Sequence, residues 1–202
     1  GNIFKDQGLI TVIGYFLGSS SVVMFATTRT VINGGYQLMT MINHAVWPEM
    51  SIAYGKNNME LARKLHSSAF KATVVLSILF AVGLFFTGEW IIKTWTLGKV
   101  MVSPVFLNLM LATLIANALW YASSMIPIAI NKHEKITVYY MIVTGLSLLN
   151  SLWIIPLLKL NGAALVSLGI HLLMSYYVVR TALTMLDEHF PGFLRSLVTL
   201  RS

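Results

Sequence analysis

Polar and apolar positions alternate along this chain on the scale of membrane spans, not on the scale of amphipathic surface helices. Counting His as neutral, uncharged stretches cover residues 7–28, 30–48, 72–88, 100–131, 136–158 and 160–179. Crossing the hydrocarbon core takes roughly 20 mostly apolar residues in a helix. The pattern predicts an all-α integral membrane protein, a bundle of six transmembrane helices in one domain, 1–202. The expected spans are 7–27, 31–54, 70–88, 103–130, 136–158 and 162–185. A short turn at Thr27–Thr30 separates the first two, and 187–202 forms an interfacial tail.

Local signals refine these elements. Pro48 is a kink candidate in the second span. Asn57, with Glu60 three residues on, reads as an N-cap with a reciprocal Glu. The helix it opens begins as a solvated basic segment (Arg63, Lys64, His66, Lys71) before entering the membrane. Trp90 and Trp95 suit an interface. Gly14 and Gly18 form a GxxxG spacing that suits close helix packing. In the tail, Phe193, Leu194, Leu197 and Leu200 share a face beside Arg195 and Arg201.

Composition narrows the class. Hydrophobic residues make up 56% and charged residues 10%, far below the quarter typical of soluble domains. Six spans and short loops fill 202 residues, leaving no room for a separate soluble enzyme domain. The net charge of +7 comes from cations at span ends, which fits the positive-inside bias better than nucleic-acid binding. On one side lie Lys5, Lys56, Arg63, Lys64, Lys71, Lys132, Lys135, Arg180, Arg195 and Arg201; on the other lie Arg29, Lys93, Lys99 and Lys159. The richer side is expected to be cytoplasmic, with both ends of the chain there. The chain enters its first span almost at once and without a basic leader, so it reads as the later part of a longer protein. With no cysteine, thiol and disulfide chemistry are excluded.

The second span carries the most chemistry. Arg29, Asn33, Gln37, Thr40 and His44 recur at steps of four, four, three and four, on one helical face. Such groups are costly against lipid, so the face should look into protein or a solvated cavity with Arg29 at its outer mouth. Interhelical hydrogen bonding in a dry bundle is the competing account. Weaker stripes run along Thr113, Asn117, Tyr121 and Ser124, along Thr137, Tyr140, Thr144, Ser147 and Ser151, and along Ser167, His171 and Ser175. Ser and Thr are common at helix contacts, so Asn117, His44 and His171 are the ones worth testing. Glu49 and His171 are candidates for coupling or gating. Asp187, Glu188 and His189 are adjacent and cannot share a helical face, so no metal site is expected. Paired carboxylates within the spans, HExxH and glycine-rich phosphate loops are all absent from the sequence.

Three motifs in order resemble a known family: 25–30 (FATTRT), 43–49 (NHAVWPE) and 54–57 (YGKN) with Ala62-Arg63 following. They resemble the polysaccharide-biosynthesis (Wzx-type) flippases of the multidrug/oligosaccharidyl-lipid/polysaccharide exporter superfamily, most closely over 20–100. The resemblance implies one lobe of a two-lobe, MATE-like transporter in the bacterial inner membrane. Its substrate would be a lipid-linked oligosaccharide, an O-antigen-type repeat unit on undecaprenyl pyrophosphate, moved by alternating access. The implied partners are that lipid, the membrane and an N-terminal lobe. No cofactor is implied beyond coupling to a Na⁺ or H⁺ gradient. Arg29 would contact the pyrophosphate or first sugar, and Asn33, Gln37, Thr40, His44 and Asn117 would line the path. A drug/cation antiporter lobe of the same superfamily is the alternative. It needs an intramembrane acid, and none of the uncharged stretches holds one. A membrane polysaccharide polymerase or ligase ranks lower, since the longest outer loop, about 89–102, is short. A non-catalytic scaffold leaves the polar stripe unexplained.

Overall fold

The computed structural model describes residues 2–198 and is helical almost throughout. Its elements are α1 (Asn2–Gly55), α2 (Met59–Trp95), α3 (Pro104–Ala129), α4 (Glu134–Met185) and α5 (Phe190–Val198). Four of these, α1 to α4, are long and apolar enough to cross a membrane. The sequence predicts six spans. The difference lies in α1 and α4, which run 54 and 52 residues and each contain one non-helical residue.

In α1 the break is Gly18, at φ 80° and ψ 175°, a region essentially reserved for glycine. A Cβ on Gly14 would lie 3.4 Å from Val22 Cγ2. Residues eight apart on an unbroken helix are about 12 Å apart, so the chain doubles back at Gly18. In α4 the break is Lys159, at φ 54° and ψ −136°. There a Cβ on Gly162 would meet the Ile154 carbonyl oxygen at 2.8 Å, and the Tyr139 and Tyr177 rings stack at 4.0 Å. Both helices are therefore helical hairpins turning on a single residue.

The first turn is thus at Gly18, not at Thr27–Thr30. Thr28 and Thr30 donate their hydroxyls to the carbonyls of Met24 and Ala26, four residues back, and the helix runs through. The turn between the fifth and sixth expected spans is found at Lys159, where the sequence places it. Residues at both breaks and at 101–103 line one common hollow, so these turns share one end of the bundle. At the other end, Ser51 donates to the Ala129 carbonyl, and Arg63 donates to those of Leu186 and Asp187.

Several details differ from expectation. The N-cap of α2 is Asn58, which accepts from Leu61 N–H at 3.1 Å; Asn57 instead takes a left-handed conformation, φ 55°. His66 is not in a solvated segment. It is buried, hydrogen-bonded to Ser123 at 3.0 Å and stacked under Phe193 at 5.0 Å. Phe193 also meets Phe70 edge-on, so α5 packs onto the bundle through Phe193, while Leu194 on the expected face is exposed. Leu200 and Arg201 lie outside the described residues. The main core joins α1 to α4 around Ile32, Met39, Leu114 and Ile170.

Candidate functional site: a charged cavity inside the bundle

The hairpin at Gly18 has a consequence that can be counted. Asp6 lies twelve residues before the turn and Arg29 eleven after it. At 1.5 Å per residue both sit about 16–18 Å from that end, roughly half the depth of a bilayer core. The two arms thereby bring Asp6 Oδ2 to 3.4 Å from Arg29 Nη1. Lys5, one residue earlier, is buried with its Nζ 3.6 Å from Asp6 Oδ1. His171 lies twelve residues beyond the other break, at matching depth, with Nε2 3.2 Å from Lys5 Nζ.

These groups border a cavity of about 280 Å³ walled by both arms of α1, by α3 and by the second arm of α4. On the α3 wall, Asn117 Nδ2 and Trp120 Nε1 approach His171 Nδ1 at 3.3 and 3.1 Å. Tyr121 donates its hydroxyl to Thr40 Oγ1 at 3.3 Å and accepts from Asn43 Nδ2 at its carbonyl. Arg29 is under-used. Its Nε and Nη1 are buried, and neither makes a hydrogen bond; Nη1 faces Asp6 as an ion pair only. Guanidinium donors left unpaired in a polar cavity suit an incoming anion, which can accept from them in a bidentate fashion.

Arg29, Asn33, Thr40, Asn117 and His171 all line this cavity. Gln37, His44 and Glu49 do not: all three are exposed on the outside of α1, and His44 sits by Trp47 at 6.1 Å. For the two stripe residues the reason is helical geometry: at about 100° per residue Gln37 and His44 lie about 80° and 60° around from Arg29, whereas Asn33 and Thr40 lie about 40° and 20° away. The face that looks inward continues through Ile32, Tyr36 and Thr40. Arg29 is also not at an outer mouth but in mid-helix.

Lys5, Asp6, Tyr36, Trp120 and Tyr121 also line it. Asp6 and Lys5 escape a sequence reading that begins its first span at residue 7. Their near mirror relation to Arg29 about Gly18 was the available signal. Asp6 lies outside every uncharged stretch, yet the hairpin carries it into the cavity wall, so an acid does face the cavity. Of the weaker stripes, Thr113 and Ser167 reach the cavity, whereas Ser175 bonds the Ala116 carbonyl across a helix contact. Among the described residues no cluster of His, Asp or Glu is placed to hold a metal ion.

Comparison with protein families, with curated proteins and with solved structures finds no match to this chain.

Proposed function

We propose that this chain is a membrane transport lobe that passes an anionic amphiphile, a lipid-linked oligosaccharide pyrophosphate, across the bacterial inner membrane. The observation that carries the reading is Arg29: a guanidinium midway along an apolar bundle, with two buried nitrogens that make no hydrogen bond, facing a polar cavity. Ionisable groups at that depth are costly and mark a path for polar cargo. In this reading the hairpins α1 and α4 each cross the bilayer twice, making six crossings with α2 and α3. Lys5 and Arg29 belong to the cavity and leave the charge count, and among the described residues eight cations then oppose three. The end holding Lys93, Lys99 and Lys159 is outward-facing by that bias. Arg29 takes phosphate oxygens, Asn33, Asn117 and Thr40 bond sugar hydroxyls, and the polyprenyl chain stays in lipid. Gln37 and His44, exposed on the outer side of α1, suit contact with a second lobe. The transport cycle is alternating access, without chemical conversion of the cargo.

Asp6 is the observation that favours the second reading, a drug/cation antiporter lobe. Arg29, whose charge is permanent, faces that carboxylate at 3.4 Å, which leaves the cavity without an uncompensated negative charge and weighs for an anion.

The test is complementation in bacteria lacking their own O-antigen flippase, scoring surface polysaccharide and accumulated lipid-linked repeat units. Rescue by the protein and failure of a normally expressed Arg29→Ala variant support the reading. Cation-dependent efflux of organic dyes without rescue moves it to the antiporter.

A further inference from the structure

His171 is surrounded by donors. Trp120 Nε1 can only donate, and it points at Nδ1 from 3.1 Å, with Asn117 Nδ2 at 3.3 Å from the same atom. Nδ1 must therefore accept, and a neutral imidazole that accepts at Nδ1 carries its proton on Nε2. Nε2–H points at Lys5 Nζ, 3.2 Å away. An ammonium has three donors and no lone pair, so it cannot receive that bond. An uncharged amine can.

We infer that Lys5 rests as a neutral amine accepting from His171, and takes up a proton when an anion enters, becoming a second cation on the ligand beside Arg29. This rests on the anion reading above and adds the state and role of a residue outside the helical stripe. Lys5 is 7% exposed, and an ammonium buried so deeply needs a full set of acceptors. Asp6 offers one at 3.6 Å, but that carboxylate already faces Arg29, whose charge is permanent. The other titratable groups facing this cavity are Tyr36 on the second arm of α1, His171 on α4 and Tyr121 on α3, with Tyr140 on α4 interacting with Asp6 from behind; α3 also contributes Asn117 and Trp120 to the wall, and α2 contributes nothing to it. The step balances. A proton from bulk water adds to the Nζ lone pair, no covalent bond to carbon changes, and the His171 Nε2–H is released to donate to a ligand oxygen. Binding thus creates the charge that holds the ligand, so the empty cavity avoids a second buried cation.

The test uses geranyl pyrophosphate as probe and calorimetry at pH 7.5 in buffers of different ionisation enthalpy, which counts protons exchanged on binding. The protein should take up about one proton more per bound probe than Lys5→Arg, whose charge is fixed. Trp120→Phe should lose the same proton without losing a titratable group, because the Asn117 amide can then turn its oxygen toward Nδ1, which takes the proton and leaves Nε2 to accept from an ammonium. Equal uptake by the protein and Lys5→Arg, or unchanged uptake in Trp120→Phe, overturns the inference and leaves the anion site standing. No probe binding at all overturns both. Nitrogen NMR of Lys-labelled, unsubstituted protein is a second readout: one amine resonance should convert to ammonium on adding probe. Ammonium signals alone in the free protein overturn the inference even where both variants misfold.

Discussion

Asp6 and Arg29 face each other at 3.4 Å across a hairpin whose turn, Gly18, is almost equidistant from both along the chain. The pairing holds Arg29 in the cavity and competes with any anion for its donors. Asp6→Asn should therefore tighten geranyl pyrophosphate binding by about fivefold, the worth of releasing a partly exposed ion pair. Arg29→Ala should weaken it at least tenfold, since a charge-assisted hydrogen bond contributes about 1.5–3 kcal/mol. Titration calorimetry of the two variants measures both. Weaker binding in Asp6→Asn would place the carboxylate among the ligand-holding groups instead.

The two hairpin turns make opposite predictions. Gly18→Ala puts a Cβ into a conformation that only glycine adopts freely, and should cost about 1–3 kcal/mol. Lys159 already holds a strained φ of 54°, is exposed, and should gain about 1 kcal/mol on replacement by Gly. Reversible unfolding in mixed detergent reads both signs. A stabilised Gly18→Ala variant would be incompatible with the turn described.

Docking of α5 depends on one ring. Phe193 is buried against His66 and Phe70, so Phe193→Ala should cost about 3–5 kcal/mol of local packing and release α5. Leu194→Ala, at an exposed neighbouring position, should change stability by less than about 0.5 kcal/mol. Limited proteolysis after Met185 distinguishes them: rapid cleavage is expected in the first variant and not in the second.

Glu188, in the link between α4 and α5, offers a pH signature outside the spans. Partial burial raises its carboxyl above the usual range, and the nearby Arg63 guanidinium only partly opposes this. One of its oxygens is buried without a hydrogen bond. The folded state then holds the proton more tightly than the unfolded chain does. Stability is greatest below the unfolded value, declines as pH rises toward the raised folded value, and stays reduced above it. Glu188→Gln removes this loss. Its thermal midpoint should exceed that of the unsubstituted protein at pH 7 and match it at pH 4; equal midpoints at both would show that the carboxyl is not penalised.

The helical content, the presence of long apolar helices and the turn at Lys159 were legible in the sequence, because apolar length and charge spacing are properties of each segment by itself. The inward face of α1 was half legible. Around the helix Asn33 and Thr40 lie only about 40° and 20° from Arg29, whereas Gln37 and His44 lie about 80° and 60° away and fall off the face. Asn117 and His171 stood out as polar residues in apolar spans, but nothing local says that they meet. That meeting depends on how α3 packs against the second arm of α4. The position of the first turn was hidden in the same way. Gly18 reads equally well as a packing glycine, and only the pairing of its two arms makes it a hinge. Charge pattern and hydrophobic length thus mark the segments that are long and apolar enough to cross a membrane. Which acid faces which base at mid-depth is settled by three-dimensional packing, since side chains from four helical segments, distant in sequence, converge on one cavity.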